Sequence, residues 1–105
     1  MKIAIATTDK ETVNLHFGKT ECFSVYEFKH NKLLFSNLRF TLSYRDPKAS
    51  KDHPFDEKRF EQVFEAIKDC KKVVVFKIGN KPKTEFLKRG MEVIEYDGEI
   101  KDLIK

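Results

Sequence analysis

The chain has 105 residues and a net charge of +4, with 40% hydrophobic and 36% charged residues. This composition is typical of one globular domain, which we place over residues 1–105, and the apolar runs are far shorter than the roughly 20 residues of a membrane span. Because the N-terminus lacks a signal-peptide layout and the charge forms no basic cluster, we expect a cytoplasmic protein that binds neither nucleic acid nor membrane.

The first half of the chain predicts three strands joined by short connections. Residues 1–7 are apolar at both alternating positions, which is typical of a strand buried in the middle of a sheet. Residues 22–29 are rich in aromatic and β-branched types and predict a second strand. A tight turn at residues 30–32 then leads into a third strand that begins at Leu33.

The third strand changes its alternation along its length. Leu33 and Phe35 share one parity, whereas Leu38 and Phe40 share the other. A strand shows its side chains alternately on two faces, so such a switch indicates a bulge or a break near residues 36–37.

The second half predicts helices that alternate with short strands after a polar connection. Asn80 is a plausible N-cap for the second helix, and Gly90 is a plausible C-terminal stop for it. The predicted segments are a connection at residues 43–55, a helix at 57–69, a strand at 72–76, a helix at 81–89, a strand at 91–96 and a short terminal helix at 99–105.

This order of elements predicts an α/β fold in a single domain. Hairpins join the first three strands, and right-handed crossovers join the later ones. We therefore expect a mixed sheet of five strands, three N-terminal antiparallel strands and two parallel ones, flanked by helices. Such a sheet resembles the ribonuclease H-like architecture.

One edge of that sheet collects the residues that could bind a ligand. It gathers the first long loop with His16, the start of the second strand with Cys22, the polar connection with His53, and Gly79. The other histidine and cysteine fall at the opposite edge. Imidazole and thiolate are ligands for iron–sulfur clusters and zinc, but these residues lack the close spacing of a dedicated metal site. One or two ligands suit a cluster that is held loosely and passed on.

The opening residues carry a family resemblance. Met-Lys-Ile-Ala-Ile-Ala at residues 1–6, a polar loop, and His16-Phe17-Gly18 before an aromatic strand resemble the dinitrogenase iron–molybdenum cofactor biosynthesis family. That family includes the NifX and NifY type proteins and the tail domain of NifB. The likeness extends to Asp69-Cys70 at the end of the first helix and to residues 90–94 at the start of the last strand.

The resemblance implies a fold, a cargo and partners. The fold is ribonuclease H-like, the cargo is an iron–sulfur precursor of the nitrogenase cofactor, and the partner is a donor or acceptor protein. By position, His16 matches the histidine of the family's loop motif, and His53 resembles a histidine that often occurs in the linker before the first helix. The glycine-rich run that relatives carry after the fourth strand is reduced here to Ile78-Gly79.

Each candidate residue also has a structural interpretation. His16 is either a ligand or a loop histidine that bonds main chain and shapes the turn. Phe17 is a plug over the core or a platform for a ligand, and Gly18 is expected in a backbone conformation that other residues resist. Cys22 is a small buried apolar residue or a ligand, and His53 is a solvated or capping residue or a ligand.

Three functions follow from these observations. The first is a non-catalytic carrier of an iron–sulfur or iron–molybdenum precursor cluster. The alternative is a protein-interaction or small-anion-binding module on the same fold without a cluster. The third, a two-metal nuclease, needs clustered carboxylates, whereas the central strand has none and Asp9 is the nearest. For the carrier, the cofactor-binding residues are His16, Phe17, Gly18, Cys22 and Gly79, and the metal ligands are His16, Cys22 and His53.

Overall fold

The computed structural model describes residues 1–41 and 57–103, which contain a five-stranded mixed sheet and two α-helices. Short 3₁₀ turns lie at Phe17–Lys19 and Ile100–Asp102. The other elements are, in chain order, β1 (Lys2–Ala6), β2 (Thr12–Val13), β3 (Cys22–Lys29), β4 (Lys32–Phe40), α1 (Glu57–Ile67), β5 (Lys72–Val75), α2 (Asn80–Lys88), β6 (Glu92–Glu95) and β7 (Gly98–Glu99).

The sheet has the strand order β4-β3-β1-β5-β6. β1 pairs antiparallel with β3 and parallel with β5, and β5 pairs parallel with β6. The five-stranded mixed sheet flanked by helices, expected from the sequence, is confirmed. Residues 3–6 of β1 are all buried because side chains cover both faces of this central strand.

Two hydrophobic clusters lie on opposite faces of the sheet. Phe23 and Val25 of β3 pack on the helix side with Phe60 of α1 and Phe86 of α2. The other face holds a smaller cluster that includes Ile5 of β1. A two-stranded ribbon of β2 and β7 and the turn at Ile100–Asp102 contribute Val13 and Ile100 to that cluster.

The hairpin of β3 and β4 contains the predicted tight turn and the predicted bulge. His30 and Asn31 form the turn with φ of 53° and 61°, the left-handed values that a two-residue hairpin loop requires. Val25 pairs with Asn37, whereas Tyr26 pairs with Phe35. One extra residue, at position 36, therefore accounts for the switch in alternation.

Several element ends differ from the sequence-based expectations. Gly79, not Asn80, occupies the N-cap of α2, and Asn80 is the first helical residue. The predicted helix at residues 99–105 is wrong, since β7 ends at Glu99 and only a 3₁₀ turn follows within the described range. The β2–β7 ribbon was not predicted, because two-residue strands carry no periodicity. The predicted connection at 43–55 lies outside the described residues.

Candidate functional site

The loop that follows β1 is ordered by its own polar side chains. The Asp9 carboxylate accepts hydrogen bonds from the N–H groups of Glu11 at 2.8 Å and Thr12 at 2.9 Å. These two main-chain hydrogen bonds lower the pKa of Asp9 to about 2, and the bond from Thr12 has the larger effect. The Thr7 hydroxyl donates to the Thr12 carbonyl across the same loop. These hydrogen bonds stabilise the turn of the loop between β1 and β2.

Main-chain hydrogen bonds on both sides fix the backbone at His16. The Phe76 N–H donates to the Leu15 carbonyl at 2.9 Å, and the Phe17 N–H donates to the Lys77 carbonyl at 2.8 Å. Residue 16 thereby forms a parallel bridge to the segment that follows β5. Its side chain is exposed, and its ring lies 5.4 Å from the ring of Phe76. The imidazole is thus displayed at the strand tips on a rigid support.

The two residues after this histidine serve the fold. The Phe17 side chain is 1% exposed and contacts the rings of Phe23, Phe60 and Phe86, the last edge-on at 5.4 Å. The interpretation of Phe17 as a plug over the core is confirmed. Gly18 lies inside the 3₁₀ turn, whose dihedral angles suit any residue, so the expected unusual backbone conformation at Gly18 is wrong.

A cleft of about 370 Å³ opens over the start of β3. Phe23 and Val25 face the helix-side core. Because side chains alternate along a strand, Cys22 and Ser24 face the other side of the sheet. The floor of the cleft consists of two cross-strand pairs, Cys22 with Phe40 and Ser24 with Leu38, and loop residues form its walls. The residues that line the cleft are Thr7, Thr8, Lys10, Leu15, Lys19, Glu21, Cys22, Ser24, Leu38 and Phe40.

The cleft combines a thiol with positive charge. Cys22 is half-buried, and this burial raises the pKa of its thiol, while the nearby Lys10 ammonium acts in the opposite direction. The Lys10 carbonyl accepts a hydrogen bond from the Tyr26 hydroxyl at 3.3 Å, and the Lys10 Nζ lies 4.4 Å from the centre of the Phe35 ring. Lys19 adds a second positive charge to the wall. The arrangement favours an anionic ligand.

The structure places His16 and Cys22 at the same sheet edge but in different surroundings. His16 pairs with the segment after β5, whereas Cys22 begins β3, and β1 lies between those strands. In residues 1–41 and 57–103, no three His, Cys, Asp or Glu side chains are grouped to hold a metal ion. The third predicted ligand, His53, lies outside the described residues.

The segment around Gly79 is occupied by its own hydrogen bonds. The Phe76 N–H is already paired with Leu15, and the Ile78 N–H donates to the Glu95 carboxylate at 3.4 Å. Gly79 has an ordinary φ of −73° and caps α2, where its carbonyl accepts the Lys83 N–H at 3.2 Å. These groups are therefore engaged within the fold and do not form an open backbone cradle.

Sequence reasoning did not single out Ser24 and Lys10, which line the cleft. Ser24 is two positions beyond Cys22 on β3 and shares its face, so period-2 alternation would have revealed it. Lys10 reaches the cleft from a loop in which its φ is 62°, a conformation that no local pattern indicates. The predicted counter-charge included Lys19, which does line the cleft.

Comparison with proteins of known sequence gives a consistent result. A family model described as dinitrogenase iron–molybdenum cofactor matches residues 1–105. The FeMo cofactor biosynthesis protein NifB of Bradyrhizobium diazoefficiens is 31% identical over 93 residues, which are 89% of this chain and 18% of that protein. NifB of Herbaspirillum seropedicae is 32% identical over 93 residues, 89% of this chain and 17% of the relative. The chain thus spans less than a fifth of these relatives.

Solved structures resemble the chain over most of its length. The crystal structure of PH0822 aligns with 99% of this chain, and the aligned part is 86% of the PH0822 chain. The TM-score is 0.64 and the sequence identity is 25%. The protein mj0327 of Methanocaldococcus jannaschii aligns with 94% of this chain, and the aligned part is 78% of the mj0327 chain. The TM-score is 0.61 and the identity is 15%, so this similarity shows the fold alone. Within the described ranges, no helix has the length and apolar character needed to cross a membrane. The match over all 105 residues establishes that the chain belongs to the dinitrogenase iron–molybdenum cofactor family.

Proposed function

We propose that this protein binds an iron–sulfur cluster of the kind that precedes the iron–molybdenum cofactor and carries it between a donor and an acceptor protein. The observation that carries the proposal is the placement of His16. Its imidazole is exposed at the tips of the central strands, while hydrogen bonds from both neighbouring residues hold its backbone. A rigidly supported, accessible imidazole is suited to bind one iron atom and to release it.

The family assignment supports the nature of the cargo. The chain belongs to the iron–molybdenum cofactor family, and the curated relatives that it matches are cofactor biosynthesis proteins. Because the chain spans only 17–18% of those relatives, their whole activity is not transferred to it. The part that we transfer is the binding of a related cluster as cargo.

The proposed role is transport without catalysis. A cluster held by few protein ligands keeps other metal positions open for the next protein, which favours transfer over permanent retention. The ribonuclease H-like class of the fold and a cytoplasmic location belong to the same proposal. They agree with the mixed sheet and with the similarity to NifB, which this chain matches over 89% of its length.

The test compares two histidines with the same substitution. We expect purified protein, reconstituted with iron and sulfide without oxygen, to bind iron and sulfide and to absorb visible light. His16→Asn should lower the bound iron at least about tenfold, the range typical of lost metal-site contacts. His30→Asn is the matched control, because His30 lies in the β3–β4 turn at the opposite sheet edge and asparagine suits its φ of 53°.

Two results would contradict the proposal. Wild-type protein that binds neither iron nor sulfide under these conditions is not a cluster carrier of this kind. Equal iron content in the His16→Asn and His30→Asn proteins would remove His16 from the site.

The second candidate is a protein-interaction or anion-binding module without a cluster. β4 is an edge strand, and its Leu34, Phe35 and Phe40 side chains are 53%, 45% and 74% exposed. An exposed apolar edge can pair with a strand of another protein. Two results together would favour this candidate. The protein would remain metal-free after reconstitution, and it would bind a protein partner that the Leu34→Lys variant no longer binds. Phosphate that shifts the amide resonances of residues 7–18 would favour its anion-binding form.

A further inference from the structure

β4 forms one outer edge of the sheet, and no strand of the described residues pairs with its outer side. In an antiparallel ladder, successive residues turn their N–H and carbonyl groups alternately toward the neighbouring strand and away from it. The Thr41 N–H donates to the Glu21 carbonyl at 2.9 Å, so the main-chain groups of the preceding residue, Phe40, point away from β3. Those of Leu38, two residues earlier on the strand, point the same way.

The other end of β4 leads to the same result. The Phe28 N–H of β3 donates to the Met1 carbonyl at 2.7 Å, so the main-chain groups of Phe28 point toward β1. Its cross-strand partner Leu33 therefore turns its own groups to the open edge, and Phe35, two residues later, does so too. The residues that offer hydrogen bonds at the open edge are thus Leu33, Phe35, Leu38 and Phe40.

The side chains of these four residues all lie on the sheet face away from the helices. Leu33 packs against the hydrophobic cluster on that face, and the Phe35 ring meets the Tyr26 ring edge-on at 5.6 Å. Leu38 and Phe40 line the cleft over β3. The bulge between the two pairs makes their spacing symmetric, so the apolar pattern reads the same in both chain directions. Such a strand is complementary to an antiparallel copy of itself.

We propose that β4 pairs antiparallel with β4 of a second copy of this chain and joins the two sheets into one. The register places Leu33 opposite Phe40 and Phe35 opposite Leu38, and the two-fold axis repeats both pairs. Aromatic and aliphatic side chains that face each other across two strands stabilise their pairing. Leu33 of the second copy then lies beside Phe40, so each copy contributes to the wall of the other's cleft. The inference goes beyond the carrier function and does not depend on it.

The charges at the two ends of β4 complement each other in this register. Lys32 and Glu21 are exposed, and neither forms an ion pair with another described residue. Lys32 of one copy comes opposite Thr41 of the other, and Thr41 is hydrogen-bonded to Glu21. The Lys32 ammonium of each copy is thereby brought toward the Glu21 carboxylate of the other. Arg39 comes opposite Leu34, so like charges of the two β4 strands do not face each other.

β4 carries little of the protection that commonly prevents sheet edges from pairing, such as prolines and charged side chains directed at the edge. It contains no proline, and its Arg39 is held on the helix side by the Asp69 carboxylate at 2.8 Å. The bulge of β4 faces the bulge of the second copy, so the register is the same on both sides of it. Because one pair of strands contacts over less than the roughly 1,200 Å² of stable interfaces, we expect a weak dimer with a dissociation constant of about 100 μM.

The first experiment is sedimentation equilibrium of the metal-free protein. We expect mostly monomer at about 30 μM and mostly dimer at about 1 mM. Leu38→Glu should raise the dissociation constant at least about tenfold, because it places a carboxylate opposite Phe35 twice in the dimer. Leu87→Glu is the matched control, since Leu87 is 54% exposed on α2, which packs on β6 at the opposite edge of the sheet. Monomer at every concentration, or equal dissociation constants for the two variants, would overturn the inference.

A second pair of variants tests the register. Leu34→Glu should dimerise about tenfold more tightly than Leu34→Lys, because the register places residue 34 opposite Arg39 twice in the dimer. Leu34 is 53% exposed, so we expect both variants to fold like wild type. Equal dissociation constants would overturn the proposed pairing.

A third measurement uses the wild-type protein and needs no variant to fold. Amide hydrogen exchange of the four outward-facing residues of β4 should be about threefold slower at 1 mM than at 30 μM protein, because strand pairing protects them. The amides of Leu34 and Arg39 are the internal control, since alternation turns them toward β3 and their exchange should not depend on a second copy. Concentration-independent exchange of the four outward-facing amides would overturn the inference and leave the carrier function standing.

Discussion

At the scale of single residues, His16, Phe17 and Gly18 have separate tasks. The histidine is exposed, the phenylalanine is buried among three other aromatic rings, and the glycine completes a 3₁₀ turn. The Phe17 N–H donates to the Lys77 carbonyl and so fixes the backbone here, with the Phe17 side chain directed inward and the His16 side chain outward. Burial of the phenylalanine thus determines the exposure of its neighbour.

This relation predicts the effect of removing the Phe17 ring. Phe17→Ala should lower the free energy of unfolding by about 3–5 kcal/mol, because it leaves a cavity between β3 and both helices. Phe40→Ala is the matched control, since that side chain is 74% exposed, and we expect a change within about 0.5 kcal/mol. Urea unfolding of the three proteins checks both values. A loss below about 1 kcal/mol for Phe17→Ala would contradict the role of Phe17 as a core plug.

At the scale of elements, α2 ends in a defined capping motif. The Met91 N–H donates to the Phe86 carbonyl at 3.0 Å, and the Gly90 N–H donates to the Leu87 carbonyl at 3.1 Å. These are the two bonds of a Schellman motif, and Gly90 has the left-handed φ of 83° that the motif needs. Met91 and Phe86 both belong to the helix-side core, so the motif leads the chain directly into β6.

Two glycines at the ends of α2 should respond differently to alanine. Gly90→Ala should destabilise by about 1–2 kcal/mol through its backbone alone, since an added Cβ meets no atom within 4 Å. Gly79→Ala should change stability by less than about 0.5 kcal/mol, because its φ is ordinary and reduced freedom of the unfolded chain offsets the weaker N-cap. Thermal unfolding checks this, with roughly 4–8 °C per kcal/mol. Equal melting temperatures would contradict the motif.

At the scale of the whole molecule, Asp69 connects the edge strand β4 and the central strand β1 to the end of α1. Its carboxylate accepts two hydrogen bonds from the Arg39 guanidinium of β4, at 2.8 and 3.0 Å, and lies 3.2 Å from the Lys2 Nζ of β1. Arg39 also donates to the carbonyl of Ala66 in α1 at 2.9 Å. The Arg39 guanidinium holds the pKa of Asp69 well below its usual range.

The lowered pKa of Asp69 predicts an acid-sensitive contribution to stability. The contribution should be complete above the unfolded pKa of about 3.9 and should disappear as the pH falls toward the lower folded value. Because the carboxylate is partly exposed, we expect Asp69→Asn to cost only about 1 kcal/mol at pH 7. Urea unfolding at pH 7, 5, 3 and 2 should show this difference shrinking below pH 4.

The control for this series is the exposed pair of Glu65 and Lys68. Glu65→Gln should change stability by less than about 0.5 kcal/mol across the same pH range, since exposed pairs contribute little. A difference between Asp69→Asn and wild type that stays constant down to pH 2 would contradict the ionic link.

Local pattern in the sequence determined the sheet and its faces. The doubly apolar run of β1 could only be buried on both sides, and the parity switch in β4 required an extra residue. The placement of His16 and Cys22 at one sheet edge also followed, because strand direction and order fix which ends meet. The apolar run of β1 and the parity switch of β4 could be read from the sequence because the alternation of side chains along a strand depends only on neighbours in the chain.

Only the tertiary structure decided how the candidate site is divided. It set His16 beside the segment after β5 and Cys22 beside Ser24 and Phe40, and it joined β2 to β7 across more than 80 residues of chain. Contacts between distant segments depend on the packing of the whole core, which no local periodicity encodes. The sequence therefore determined which residues reach the edge of the sheet, and the packed core decided which of them share a cleft.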